Sequence, residues 1–151
     1  MARQPGFPAR FPSGSRAPVR RYLLKSAETF KRGAFVLLED VAGTDRVATC
    51  GADPAVILGL ASEPAADVVE AGYALVWVAD ENTEFMMPTS SAPTAANINT
   101  AYGVAVDADG IWYVDFTDTV NTRVLVTDFA DDDSRTAVLC KVLKANRQLN
   151  A

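Results

Sequence analysis

Along most of this chain apolar and polar residues alternate with the two-residue period of half-buried strands. The densest such stretch is residues 101–129, AYGVAVDADGIWYVDFTDTVNTRVLVTDF, which predicts three successive strands at Gly103–Asp107, Ile111–Phe116 and Arg123–Phe129. Asp109-Gly110 between the first two is a strong hairpin signal, because such a turn needs a residue at positive φ. In the second strand Trp112, Val114 and Phe116 share one face, and Ile111, Tyr113 and Asp115 the other. In the third, Arg123, Leu125, Thr127 and Phe129 alternate with Val124, Val126 and Asp128. A meander of this kind is marginal in water by itself, so the rest of the chain must cover it.

The remaining pattern predicts strands at Arg21–Lys25, within Thr29–Leu38 after a turn at Lys31-Arg32-Gly33, and at Arg46–Cys50, Val56–Ala61, Ala74–Ala79, Glu84–Met87 and Ala137–Leu143. Gly59, inside an apolar run, marks a bulge or a close backbone approach. Glu39–Asp45 reads as a polar loop around Gly43, Pro88–Thr100 as a second loop, Ala130–Thr136 as an acidic turn and Lys144–Ala151 as a polar tail. Ser62–Gly72 is the one helical candidate, with Pro64 suited to a first turn and Gly72 to the stop. About ten short strands without strand–helix alternation predict an all-β fold, a compact β-sandwich or β-barrel, jelly-roll-like, with one short helix. No internal sequence repeat stands out.

Residues 1–20 break the pattern. Pro5, Pro8, Pro12 and Pro18 each remove a backbone donor, and Gly and Ser fill the gaps. This predicts an extended arm over 1–20, disordered alone, ahead of a single β-rich domain over 21–151. A chain of 151 residues is one domain of ordinary size. Phe7 and Phe11 are the apolar exceptions in the arm and are suited to anchoring on a partner.

Charge sharpens this division. Residues 1–32 hold eight Lys/Arg and one acid, a net +7, whereas the remainder holds six basic and eighteen acidic groups, a net −12. Such asymmetry points to one end binding a surface of opposite sign. The acidic body repels phosphate and argues against nucleic acid. No apolar run approaches the roughly 20 residues of a membrane span, and no apolar signal core follows the basic N-terminus.

The chemistry of the side chains narrows the function further. The chain has no histidine, which removes Ser-His-Asp and Cys-His catalysis and imidazole metal sites. Cys50 and Cys140 fall inside apolar strand patterns and read as small buried hydrophobes, with a bridge between them left open. Asp107-x-Asp109-Gly110 begins like a calcium loop, but Ile111 stands where a ligand should be, and a hairpin turn accounts for these residues. No catalytic, metal or cofactor site is expected, and the chain reads as a non-enzyme.

Several segments resemble the tailed-bacteriophage capsid decoration (cement) proteins. Phe30-Lys-Arg-Gly-Ala-Phe-Val-Leu, Val47-Ala-Thr-Cys, Asp53-Pro and Ile57-Leu-Gly-Leu-Ala look like their opening segment. Ala101-Tyr-Gly-Val, Asp109-Gly-Ile-Trp-Tyr-Val-Asp, Thr119–Asn121 and Val124-Leu-Val look like their later one. The resemblance implies a structural virion protein, made in the host cytoplasm and carried on the capsid exterior. Its partners would be the major capsid protein, whose neighbouring copies it would clamp, and further copies of itself, a trimer before a dimer. Phe7, Arg10, Phe11, Arg16, Arg20 and Arg21 are the expected capsid- or neighbour-binding residues. The alternative is a β-sandwich binding module for carbohydrate or a host surface, with Trp77, Trp112 and Tyr113 as its stacking platform.

Overall fold

The alternating pattern becomes eleven strands in the computed structural model, which describes residues 3–10, 19–65, 72–130 and 136–149. They are β1 (Phe7–Arg10), β2 (Val19–Leu23), β3 (Phe35–Val41), β4 (Thr44–Thr49), β5 (Gly59–Ala61), β6 (Tyr73–Val78), β7 (Glu84–Pro88), β8 (Ala101–Val106), β9 (Trp112–Asp115), β10 (Val124–Phe129) and β11 (Ala137–Val142). Every strand predicted from the sequence is present, and β1 is additional. The strands form two antiparallel sheets, ordered β2-β6-β5-β3-β4 and β1-β7-β11-β10-β8-β9. The fold is therefore all-β, a compact β-sandwich. The jelly-roll order does not occur: β2–β6 build one sheet and β7–β11, joined by β1 at the edge, build the other, so runs of consecutive strands stay in one sheet instead of alternating between sheets.

Local chemistry sets the connections. Ala42 and Gly43 both take positive φ (53° and 85°) and join β3 to β4 by a two-residue hairpin. The polar loop expected at Glu39–Asp45 is thus mostly strand. Between β8 and β9 only Gly110 (φ 79°) takes positive φ, while the Asp107 carboxylate accepts the Asp109 and Ile111 N–H groups at 2.9 and 3.0 Å. The expected three-strand meander is rearranged, because β10 pairs with β8 and not with β9. Gly59 marks a close backbone approach: a Cβ there would overlap the Trp77 carbonyl. Residues 66–71 lie outside the described residues, and with them most of the helix predicted over Ser62–Gly72. The C-terminal segment is docked on the body. Gln148 accepts the Leu38 N–H at 2.7 Å and donates to the Leu38 carbonyl at 2.9 Å, and Leu149 packs on the core.

The two sheets repeat one design. In the first, Leu24 just after β2 forms a parallel bridge to Val47 of β4, and the Lys25 N–H donates to the Val47 carbonyl at 2.9 Å. In the second, Thr89 just after β7 bridges Val114 of β9, and the Ser90 N–H donates to the Val114 carbonyl at 2.9 Å. Each sheet is rolled so that β2 approaches β4 in the first and β7 approaches β9 in the second. The register repeats as well: Tyr22–Ala74, Leu38–Val47, Val36–Gly59 and Gly59–Val78 match Met87–Val138, Val104–Val114, Tyr102–Val124 and Val124–Val142. So do three bonds outside the ladders. Leu58 to Val36, Ala79 to Leu58 and Gly33 to Ala61 (2.8, 2.9 and 2.8 Å) match Arg123 to Tyr102, Leu143 to Arg123 and Asn99 to Val126 at the same lengths. Gly33 and Asn99 hold equivalent places, and both take positive φ.

Alternation divides the core in two. Val36, Val47, Leu58 and Val76 fill the inside of the first sheet, with Leu38 and Leu149 against them. Phe35, Ile57 and Leu60 turn the other way and join Phe85, Met87, Trp112, Val114, Val124 and Val126 of the second sheet in a shared cluster. Fully burying each such side chain contributes about 1.5–3 kcal/mol, which makes the shared cluster the principal bond between the sheets.

Candidate interaction surface

Of the expected binding residues, the described ones, Phe7, Arg10, Arg20 and Arg21, lie on two strands at the margins of the sheets. β1 pairs with the outer edge of β7, with Phe7 opposite Met86, Pro8 opposite Phe85 and Arg10 opposite Glu84. Pro8 is tolerated because β1 is an edge strand and its missing N–H costs no ladder bond. The backbone runs close to the sheet at Gly6, which is buried and where a Cβ would overlap the Met87 sulfur. Part of the segment predicted as a reaching arm is thus a strand of the body, and Phe7 stands on it 38% exposed.

Two arginines pin this segment. Arg10 reaches Glu84 at 3.7 Å and Asp128 at 3.3 Å, both surface pairs of small energetic weight. Arg3 lies 3.9 Å over the Tyr113 ring, pairs with Asp107 at 3.3 Å and donates from Nε to the Thr89 carbonyl at 3.3 Å. The Asp107 carboxyl is held below the usual carboxylate range, first by the Ile111 N–H and then by Arg3. Sequence reasoning missed Arg3. The cation was visible in the N-terminal segment, but its acceptors follow about a hundred residues later, and no spacing rule links them.

Arg20 and Arg21 sit on β2, the edge strand of the first sheet, and both are exposed. The Arg21 guanidinium lies 4.5 Å over the Tyr73 ring of the neighbouring β6. Phe11 and Arg16 lie outside the described residues. The structure therefore places Phe7 and Arg10 on one sheet and Arg20 and Arg21 on the other.

The stacking platform expected of a carbohydrate module is not assembled. Trp112 is buried among the core residues, Tyr113 points to the opposite face under Arg3, and Trp77 packs against the core with Arg32 over its ring at 5.2 Å. A pocket of about 550 Å³ opens between the 28–34 turn and the β8–β9 hairpin, lined by Phe30, Lys31, Cys50, Asp109 and Trp112. Burial pushes the Cys50 thiol up to about 12, so the pocket holds a protonated thiol and not a nucleophilic thiolate at neutral pH. Cys140 is likewise buried and pushed to about 12, and both cysteines are free. Among the described residues no cluster of three or more acidic, cysteine or histidine side chains is placed to hold a metal ion.

Comparison of the chain with protein-family models, with curated proteins and with solved structures finds no match.

Proposed function

We propose that this chain is a structural virion protein that binds the outer surface of a tailed-phage capsid and stabilises it by clamping neighbouring major capsid proteins. The observation that carries the reading is the placement of exposed cations, Arg20 and Arg21, on the margin of a rigid β body whose net charge is strongly negative beyond residue 32. A decorating protein needs a firm body and an adhesive margin, and it needs no active site. The segments that resemble decoration proteins support the same reading. They supply β3, β4 and β5 of one sheet and the equivalent β8, β9 and β10 of the other, so the likeness lies in the strands that build both halves.

Several copies acting together would convert weak contacts into firm attachment by raising effective concentration. Quantitative mass spectrometry of purified particles from the source tests the proposal. The expected result is a copy number in simple ratio to the major shell protein. Absence, or a few copies per particle, overturns it.

A further inference from the structure

The two halves of the fold differ in how one strand edge is covered, and among the described residues the difference leaves a strand position vacant. In the second half the outer edge of β7 is covered along its length: β9 bridges its C-terminal end at Thr89, and β1 pairs with its N-terminal end at Glu84, Phe85 and Met86. In the first half β4 bridges the C-terminal end of β2 at Leu24. The matching register, Tyr22–Ala74 against Met87–Val138, assigns Val19, Arg20 and Arg21 to the places of Glu84, Phe85 and Met86. No strand among the described residues lies along that edge, and Val19 is 45% exposed with both arginines exposed beside it.

We propose that the outer edge of β2 at Val19–Arg21 receives an extended acidic segment of a partner chain as an added antiparallel strand. The geometry comes from the second half, where β1 already makes this addition within the chain. The chemistry comes from charge. β1 brings Arg10 to an edge bearing Glu84, with Asp128 beside it. On β2 the signs are reversed, since the edge carries Arg20 and Arg21. A second copy's β1 would set its Arg10 against these arginines, which disfavours it. An incoming strand with adjacent carboxylates places one on each face, opposite Arg20 and Arg21, which themselves point to opposite faces. The Tyr73 ring beneath Arg21 holds that guanidinium over the sheet. Backbone hydrogen bonds supply affinity in such additions, and the side chains supply choice of partner. The arginines also refuse apolar edges, which keeps the strand from indiscriminate pairing.

This inference does not depend on the capsid reading, since it concerns the edge and not the source of the strand. The test uses the full chain and a blocked peptide of sequence Thr-Val-Glu-Glu-Val-Thr, titrated to about 1 mM and followed by backbone amide shifts. Saturable binding is expected, with shifts centred on residues 19–23 and a loss of at least about tenfold when alternate peptide nitrogens are methylated. The double variant Arg20→Glu/Arg21→Glu, at two exposed positions, is expected to lose the acidic peptide and to gain the matched lysine peptide. Binding that survives N-methylation would mean ionic attraction without strand addition, and would overturn the proposal. So would shifts centred elsewhere, failure of the double variant to exchange preference, or no saturable binding of the acidic peptide.

Discussion

Phe35 meets Trp112 edge to face, with ring centroids 5.4 Å apart and planes at 88°, and the pair joins β3 of one sheet to β9 of the other. Both rings are buried at the centre of the cluster shared by the two sheets. Trp112→Ala removes the larger ring and leaves a cavity there. The expected cost is about 3–5 kcal/mol, read as a lowered urea midpoint. Because the cluster is shared, backbone signals from both sheets should be lost together. Two separated transitions would show that the sheets do not depend on this contact.

The Asp107 carboxylate, held first by the Ile111 N–H and then by Arg3, carries a pH dependence of defined sign. A carboxyl whose folded pKa is lowered stabilises the fold above its unfolded pKa, about 3.9, and loses that contribution as pH falls through the folded value. Asp107→Asn keeps an oxygen for the Ile111 and Asp109 N–H groups and removes only the charge. At neutral pH the variant should melt lower by no more than about 4 °C, given the exposure of the pair. The gap between variant and parent should close as pH drops below about 4. A gap that widens on acidification contradicts the assignment.

Gly59 and Gly51 make a matched pair of substitutions. A Cβ at Gly59 overlaps the Trp77 carbonyl, whereas one at Gly51 meets nothing within 4 Å. Gly59→Ala should therefore cost about 1–3 kcal/mol as the ladder between β5 and β6 is forced apart, while Gly51→Ala should be close to neutral. Denaturant melts of the two variants side by side check this.

Both thiols should be silent in the folded protein. Cys50 and Cys140 are buried, with values pushed to about 12, so a thiol reagent at neutral pH should label them only at the rate of unfolding. The alkaline consequence follows by linkage. The unfolded thiols ionise from about pH 8.5, but the folded ones stay protonated, so stability falls as pH rises from there toward 12. Serine at either position should flatten that decline in a melting series taken from pH 8 to 10.

Much of the body was legible because burial and alternation coincide. The turn at Asp107–Gly110 declared itself through Asp-Gly, and the buried positions of β9, Trp112 and Val114, are those that the period-two pattern assigned to one face. β1 was hidden for a local reason: Phe-Pro-Ala-Arg has no alternation, and its extended shape comes from pairing with β7. The placement of β10 beside β8 was hidden for a topological one, since the pattern of a strand does not name its neighbour. The repeat escaped because it lives in the backbone. Equivalent positions carry Gly59 and Val124, or Arg20 and Phe85, which share register and no chemistry. At the margin the cations were visible, but which of them the body would engage depended on Asp107, Glu84 and Asp128, all far along the chain.

The order of the strands along the chain also gives the molecule a history during synthesis. All five strands of the first sheet have been made by Val78, before any residue of β7–β11, the strands that complete their shared core. β1 emerges before any of them, yet its partner β7 follows the whole first sheet. The earliest strand is therefore among the last to find its place. Throughout that interval β1 lacks the strand that it pairs with in the finished fold.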